Sequence, residues 1–248
     1  MLCLAISAIS AASACSGGGG SKSTPTTTVA AGLTDDQAAA MANVLFNDYD
    51  AKGATFTAVA ASTVTDERIE LSGEIDWTTH TGHAVVTAKG TEAGVTEVFW
   101  QGAQVLERSP KFTGLLVTLG RPAAEFVARP GDPAGRPLDR VLAIVTGLAS
   151  TERDNPLLLR QAPGSRFLRV DSLRGTAAQV LRYGERNVYW LADDDSRLLR
   201  FEGNNPTGNQ PVIVDITALG PQTVQGPLTD QVVAVESVKD IYEASRAA

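Results

Sequence analysis

"VLRYGERNVYWLADDDSRLLRFEG", residues 180–203, holds two strand-like runs, 188–192 and 197–202, on either side of Asp193-Asp194-Asp195-Ser196. Four polar, turn-favouring residues between two such runs predict a hairpin. The runs at 166–171, 176–183 and 212–219 carry the same strand pattern. The C-terminal half therefore reads as a set of antiparallel hairpins.

Upstream the scheme repeats. Strand-like runs at 83–89, 95–101, 104–107, 115–119 and 125–129 are separated by "KGTEAG", "QGA", "RSPKFTG" and "GRPA", so sequential hairpins are expected. "RIELSGEIDW", residues 68–77, places Ile69, Leu71, Ile75 and Trp77 on one face and Arg68, Glu70, Glu74 and Asp76 on the other. That period of two predicts a half-buried antiparallel strand.

Two segments change the period. At 33–49 Thr34 can cap a helix, Asp35 and Asp36 fall in its first turn, and Met41, Val44, Leu45 and Asp48 share helical spacing. After the break "RPGDPAGRP", residues 138–150 align Leu138, Val141, Leu142, Val145 and Leu148 on a second helix opening behind Pro137. "TERDNP" reads as a loop, and residues 228–248 as a helical closing segment.

The first 32 residues do not belong to a packed domain. Residues 1–14 are apolar with small residues towards the end, as in a secretory signal, and are too short for the roughly 20 residues of a membrane span. Nothing charged precedes Lys22, which places the expected start of that signal upstream. Ala12-Ser13-Ala14-Cys15 resembles the lipobox of bacterial lipoproteins, in which the cysteine is acylated and becomes the new N-terminus. Cys15 is then a lipid anchor; the alternative is an ordinary signal peptide with an incidental cysteine. Residues 16–32, built from Gly, Ser, Thr and Ala, favour the anchor, since they form a flexible tether spanning about 20–25 Å.

The two cysteines, Cys3 and Cys15, both fall in this leader, so no disulfide framework or thiolate metal site is expected in the domain. A formal net charge of −7 argues against nucleic acid as a partner.

A helix, a meander, a mid-chain helix and final hairpins resemble the LolA-like fold, and more closely the actinobacterial lipoproteins of the LppX/LprG type. The lipobox with its tether and the run "VLRYGERNVYWLADDDSRLLRFEG…PVIVDITALGPQTVQGP" carry the resemblance. It implies an α+β half-barrel over residues 33–227, one strongly curved antiparallel sheet wrapped around helices with an apolar cavity between. It further implies a lipid-anchored protein on the outer face of the cell membrane that carries lipid or acylated molecules. A non-transporting sensor or scaffold with an envelope protein partner is the alternative. The residues expected to border the cavity are Leu71, Ile75, Trp77, Trp100, Val141, Leu142, Val145 and Leu148. Moving a sixteen-carbon chain out of water gains on the order of 12 kcal/mol at ~0.8 per methylene, which is why a carrier is needed.

Enzymatic readings find little support in the residues. His80 and His83 in "DWTTHTGH", with Asp76, offer zinc-ligand spacing, but the segment reads more simply as a hairpin turn. No G-x-S-x-G or HExxH occurs. Asp193–Asp195 lack the Gly and distal Glu of a calcium loop and sit where a hairpin must turn. Trp77, Trp100 and Trp190 fall in strand patterns and read as core. No catalytic residue, metal or cofactor is expected.

Overall fold

The computed structural model describes residues 32–62, 64–205 and 209–246. The expected leader and most of the expected tether, with Cys3 and Cys15, lie outside them. The elements run α1 (Asp35–Asp50), β1 (Gly53–Ser62), β2 (Glu67–Asp76), β3 (Thr81–Lys89), β4 (Glu97–Gln101), β5 (Gln104–Arg108), α2 (Pro110–Thr118) and β6 (Phe126–Pro130). There follow α3 (Pro137–Thr146), α4 (Pro156–Gln161), β7 (Arg166–Leu173), β8 (Thr176–Tyr183), β9 (Asn187–Ala192), β10 (Leu198–Gly203), β11 (Val212–Leu219), β12 (Val232–Ala234) and α5 (Lys239–Arg246).

The protein is α+β, with the twelve strands of the described residues in one open, curved sheet ordered β12-β6-β5-β4-β3-β2-β1-β11-β10-β9-β8-β7. Two sequential meanders, β1–β6 and β7–β11, are joined where β1 pairs antiparallel with β11. Among the described residues only β12 runs parallel to its neighbour, β6. Register shifts at Thr55/Phe56, Phe167/Arg169 and Leu198/Arg200 mark irregular pairing, the kind of feature that bends a strand and coils a sheet.

The period-two reading of β2 holds. Ile69, Leu71 and Ile75 are buried, as is Trp77 just beyond the strand, and their face packs under α1 and α3. Helix α1 starts where Thr34 and Gln37 form a reciprocal capping box, and its Met41 and Val44 enter the same core. Helix α3 opens with Pro137 at its first turn and buries Leu138, Val141, Leu142 and Val145. It ends at Thr146, short of the expected 150.

Three expectations change. The apolar run 115–119 is not a strand but the second half of α2, because Pro110 starts a helix and brings Phe112 and Leu116, four residues apart, onto one buried face. Within the expected loop, Asn155 caps the short helix α4 through its side chain, with Pro156 at the first position. The segment from residue 228 is α-helical in α5 and 3₁₀-helical in two single turns, Thr229–Gln231 and Val235–Ser237, with Val232–Ala234 extended along β6 between them. There α2 and α5 clamp the sheet edge, with Phe112, Leu116, Val127, Val238 and Ile241 forming a second small core.

Candidate functional site

The seam between α3 and strands β4–β5 is where the helix layer stands off the sheet. A cleft of ≈ 480 Å³ opens there, walled by Trp100, Val105, Leu142, Ala143 and Ala149. His80, Asp139 and Thr146 supply its polar edge. This volume is within the range of small-molecule sites, roughly 300–1,000 Å³.

Local sequence fixes the Trp100 wall. Glycine at 82 lets the indole lie across β3, where a Cβ would come 2.0 Å from Trp100 Cζ2. The ring is held from the other side by Nε1 donating to Thr146 Oγ1 of α3 at 3.0 Å and by an edge contact with Phe56. Trp77 secures the same helix, its Nε1 donating to the Val145 carbonyl at 3.1 Å. Both indoles thus tie sheet to helix, one at the cleft wall and one in the interior.

The eight residues expected at the cavity therefore separate into two groups. Trp100 and Leu142 line the cleft while also belonging to the buried core, each 3% exposed. Leu71, Ile75, Trp77, Val141, Val145 and Leu148 are at most 3% exposed and pack together in the central core. Ala143, Ala149 and Val105 line the cleft without having been singled out; the small residues on the flank of α3 were the available signal.

Asp139 links the cleft to a buried charge network. Its carboxylate accepts two hydrogen bonds from Arg129, each 2.6 Å, and one from the Asp132 amide at 2.7 Å. Arg129 Nε also donates to Glu107 Oε2 at 2.6 Å. Glu107 is reached from α5, where the Tyr242 hydroxyl donates to it at 2.7 Å and accepts from Arg136 at 2.8 Å. Arg136 and Arg246 converge on Glu92, so three guanidiniums meet three carboxylates. Burial pushes the Glu107 and Asp139 carboxyls up, but the neighbouring arginines outweigh it and hold both below the usual range. Both acids stay ionised, and the arrangement is structural cross-bracing with no exposed acid–base pair.

The histidines are not brought together as a ligand set. His80 sits in the β2–β3 turn at φ 52°, while His83 lies within β3, stacked on Phe99, with Nε2 3.0 Å from Glu97 Oε1. Asp76 accepts from Thr78 and Thr79 inside the turn. Among the described residues no group of three His, Cys, Asp or Glu is placed to hold a metal. Asp193–Asp195 form the β9–β10 turn, where Asp195 pairs with Arg197 at 2.6 Å and Asp193 accepts from Gln179. Trp190 lies on the opposite face of the sheet from the cleft, in a third apolar cluster. Among the described residues no helix is long and apolar enough to cross a membrane.

No known protein family and no curated protein matches the sequence. Among solved structures the chain is similar to LprF from Mycobacterium bovis, at 12% identity and a TM-score of 0.41 over 79% of this chain and 99% of that one. It is similar to an uncharacterized conserved protein from Thermus thermophilus, at 13% identity and a TM-score of 0.37 over 76% and 97% of the two chains. Likeness to a chain of the Pseudomonas aeruginosa MucA/MucB complex covers 79% of this chain but 59% of that one, at 15% identity and a TM-score of 0.34.

Proposed function

We propose that this protein is a non-catalytic lipid-binding protein of the cell envelope, anchored to the outer face of the membrane through acylated Cys15 and carrying an acyl chain in the α3 cleft. The observation that supports the reading is the cleft itself: an apolar wall of Trp100, Val105, Leu142, Ala143 and Ala149, open at the seam where sheet and helix part. Burying an acyl segment there removes apolar surface from water on both sides at about 25 cal/mol per Å². The polar edge at His80 and Thr146 suits the end of the ligand that stays wet. The sheet laid over α1 and α3 is the architecture implied by the LolA-like resemblance.

A second reading rests on the packed interior. Six of the eight expected cavity residues fill a core rather than line a space, which favours an envelope sensor or scaffold that transports nothing. Native mass spectrometry of the domain from residue 33 onward, isolated from cells, separates the two. The carrier reading predicts a bound acyl species released under activation, and a uniformly empty protein would support the scaffold instead.

A further inference from the structure

The face of the sheet turned away from the helices has its own order of side chains. In the row through Arg169, Val180, Trp190, Arg200 and Asp215 every charge is met. Arg169 Nε donates to Asp171 at 2.9 Å, and Arg200 donates twice to Asp215, at 2.5 and 2.8 Å. Both guanidiniums lie over the Trp190 ring, 5.0 and 5.4 Å from its centre.

The next row differs. Arg166 of β7 and Arg182 of β8 stand directly opposite one another, with Val188 beside them on β9. Among the described residues neither side chain makes a hydrogen bond or an ion pair, and the Nε of each is closed off from solvent without an acceptor. Glu202, further along the row, instead accepts from Trp190 Nε1 at 2.8 Å. Like charges on directly opposed positions, with Cβ atoms about 5 Å apart, disfavour the pairing. A shielded, unmet donor on a charged group adds to that cost. One anion held between the two guanidiniums removes the repulsion between them.

We infer that Arg166 and Arg182 form a binding site for a phosphate-type oxyanion. A tetrahedral phosphate offers separate pairs of oxygens to two guanidiniums, each of which prefers a two-point contact. The same group is presented by free phosphate and by the head of an anionic phospholipid. The site is on the opposite face from the cleft and does not depend on the lipid-carrier reading.

The test is thermal unfolding of the full chain, with phosphate replacing chloride at constant ionic strength and acetate as a control. A saturable rise in Tm specific to phosphate is expected. Arg166→Gln and Arg182→Gln should each weaken its apparent affinity roughly tenfold or more, and Arg169→Gln should leave it unchanged. Arg166→Lys, which keeps the charge but not the fork, should retain only part of the effect and carries the comparison if a Gln variant does not fold. Sedimentation with phosphatidylglycerol or phosphatidylcholine vesicles, using Cys15→Ser protein, distinguishes the sources. Retention on the anionic vesicles that needs both arginines assigns the site to a lipid head, whereas a phosphate response without retention assigns it to free phosphate. Absence of a phosphate-specific response, or an undiminished response in both Gln variants, would overturn the site.

Discussion

Asp48 shows what a single residue position can and cannot announce. Its spacing with Met41, Val44 and Leu45 places it on the buried stripe of α1, and there it is found, fully enclosed with neither carboxylate oxygen partnered. Burial alone pushes its carboxyl well above the ordinary range. A folded-state pKa above the unfolded one gives stability that is complete below the unfolded value, near 3.8, and is lost as pH rises through the folded value. Asp48→Leu should therefore stabilise the protein at neutral pH by about 1–3 kcal/mol, with the gain shrinking as the pH is lowered towards 4. Urea unfolding of both proteins across that range checks it; a difference that does not vary with pH would refute the assignment. The charge pattern of the network behind the cleft was not legible in the same way. Glu92 and Arg136 are 44 residues apart and Glu107 and Tyr242 are 135 apart, so nothing local marks them as partners.

At the scale of elements, alternation and turn chemistry were sufficient wherever one face of a strand is buried and the other is not. Ile69, Leu71, Ile75 and Trp77 wrote β2 directly, and the Asp193–Ser196 turn wrote the β9–β10 hairpin. The pattern failed at α2, where a short apolar run is compatible with either period and the deciding contacts come from α5, more than a hundred residues away. That helix is held to the sheet by the Tyr242 hydroxyl as well as by apolar packing. Tyr242→Phe removes a donor to buried, ionised Glu107 and should cost about 1.5–3 kcal/mol in urea unfolding at pH 7. A loss below about 0.5 kcal/mol, the range of an ordinary surface change, would show that apolar packing alone holds α5. Because Glu107 and Asp139 are both held low, their contribution is present above the ordinary carboxylate range and fades as pH falls through their folded values.

For the whole molecule, the sheet is read strand by strand, but its closure is not. The pairing of β1 with β11 joins the two meanders across more than 150 residues, and the space left between sheet and helices depends on how completely side chains from both fill it. That filling is why the expected cavity residues divided into core and cleft. For the proposed anchor, Cys15→Ser should move the protein from the membrane fraction to the soluble fraction without changing its far-UV circular dichroism, because the Gly, Ser and Thr composition between Cys15 and α1 is the one expected of a tether rather than of a packed core. Persistent membrane association of that variant would remove the anchor from the account.

The cleft decides the account as a whole. Ala143 faces it from α3 and, unlike Leu142, does not belong to the buried core, so Ala143→Trp fills the space while leaving the interior packing in place. The most direct measurement is the binding of a fluorescent fatty acid to wild type and to Ala143→Trp, with unfolding curves confirming that both are folded. The account predicts saturable binding by wild type and a loss of at least tenfold in affinity for the variant. Equal binding by the two proteins, or none by wild type stripped of bound lipid, would contradict it.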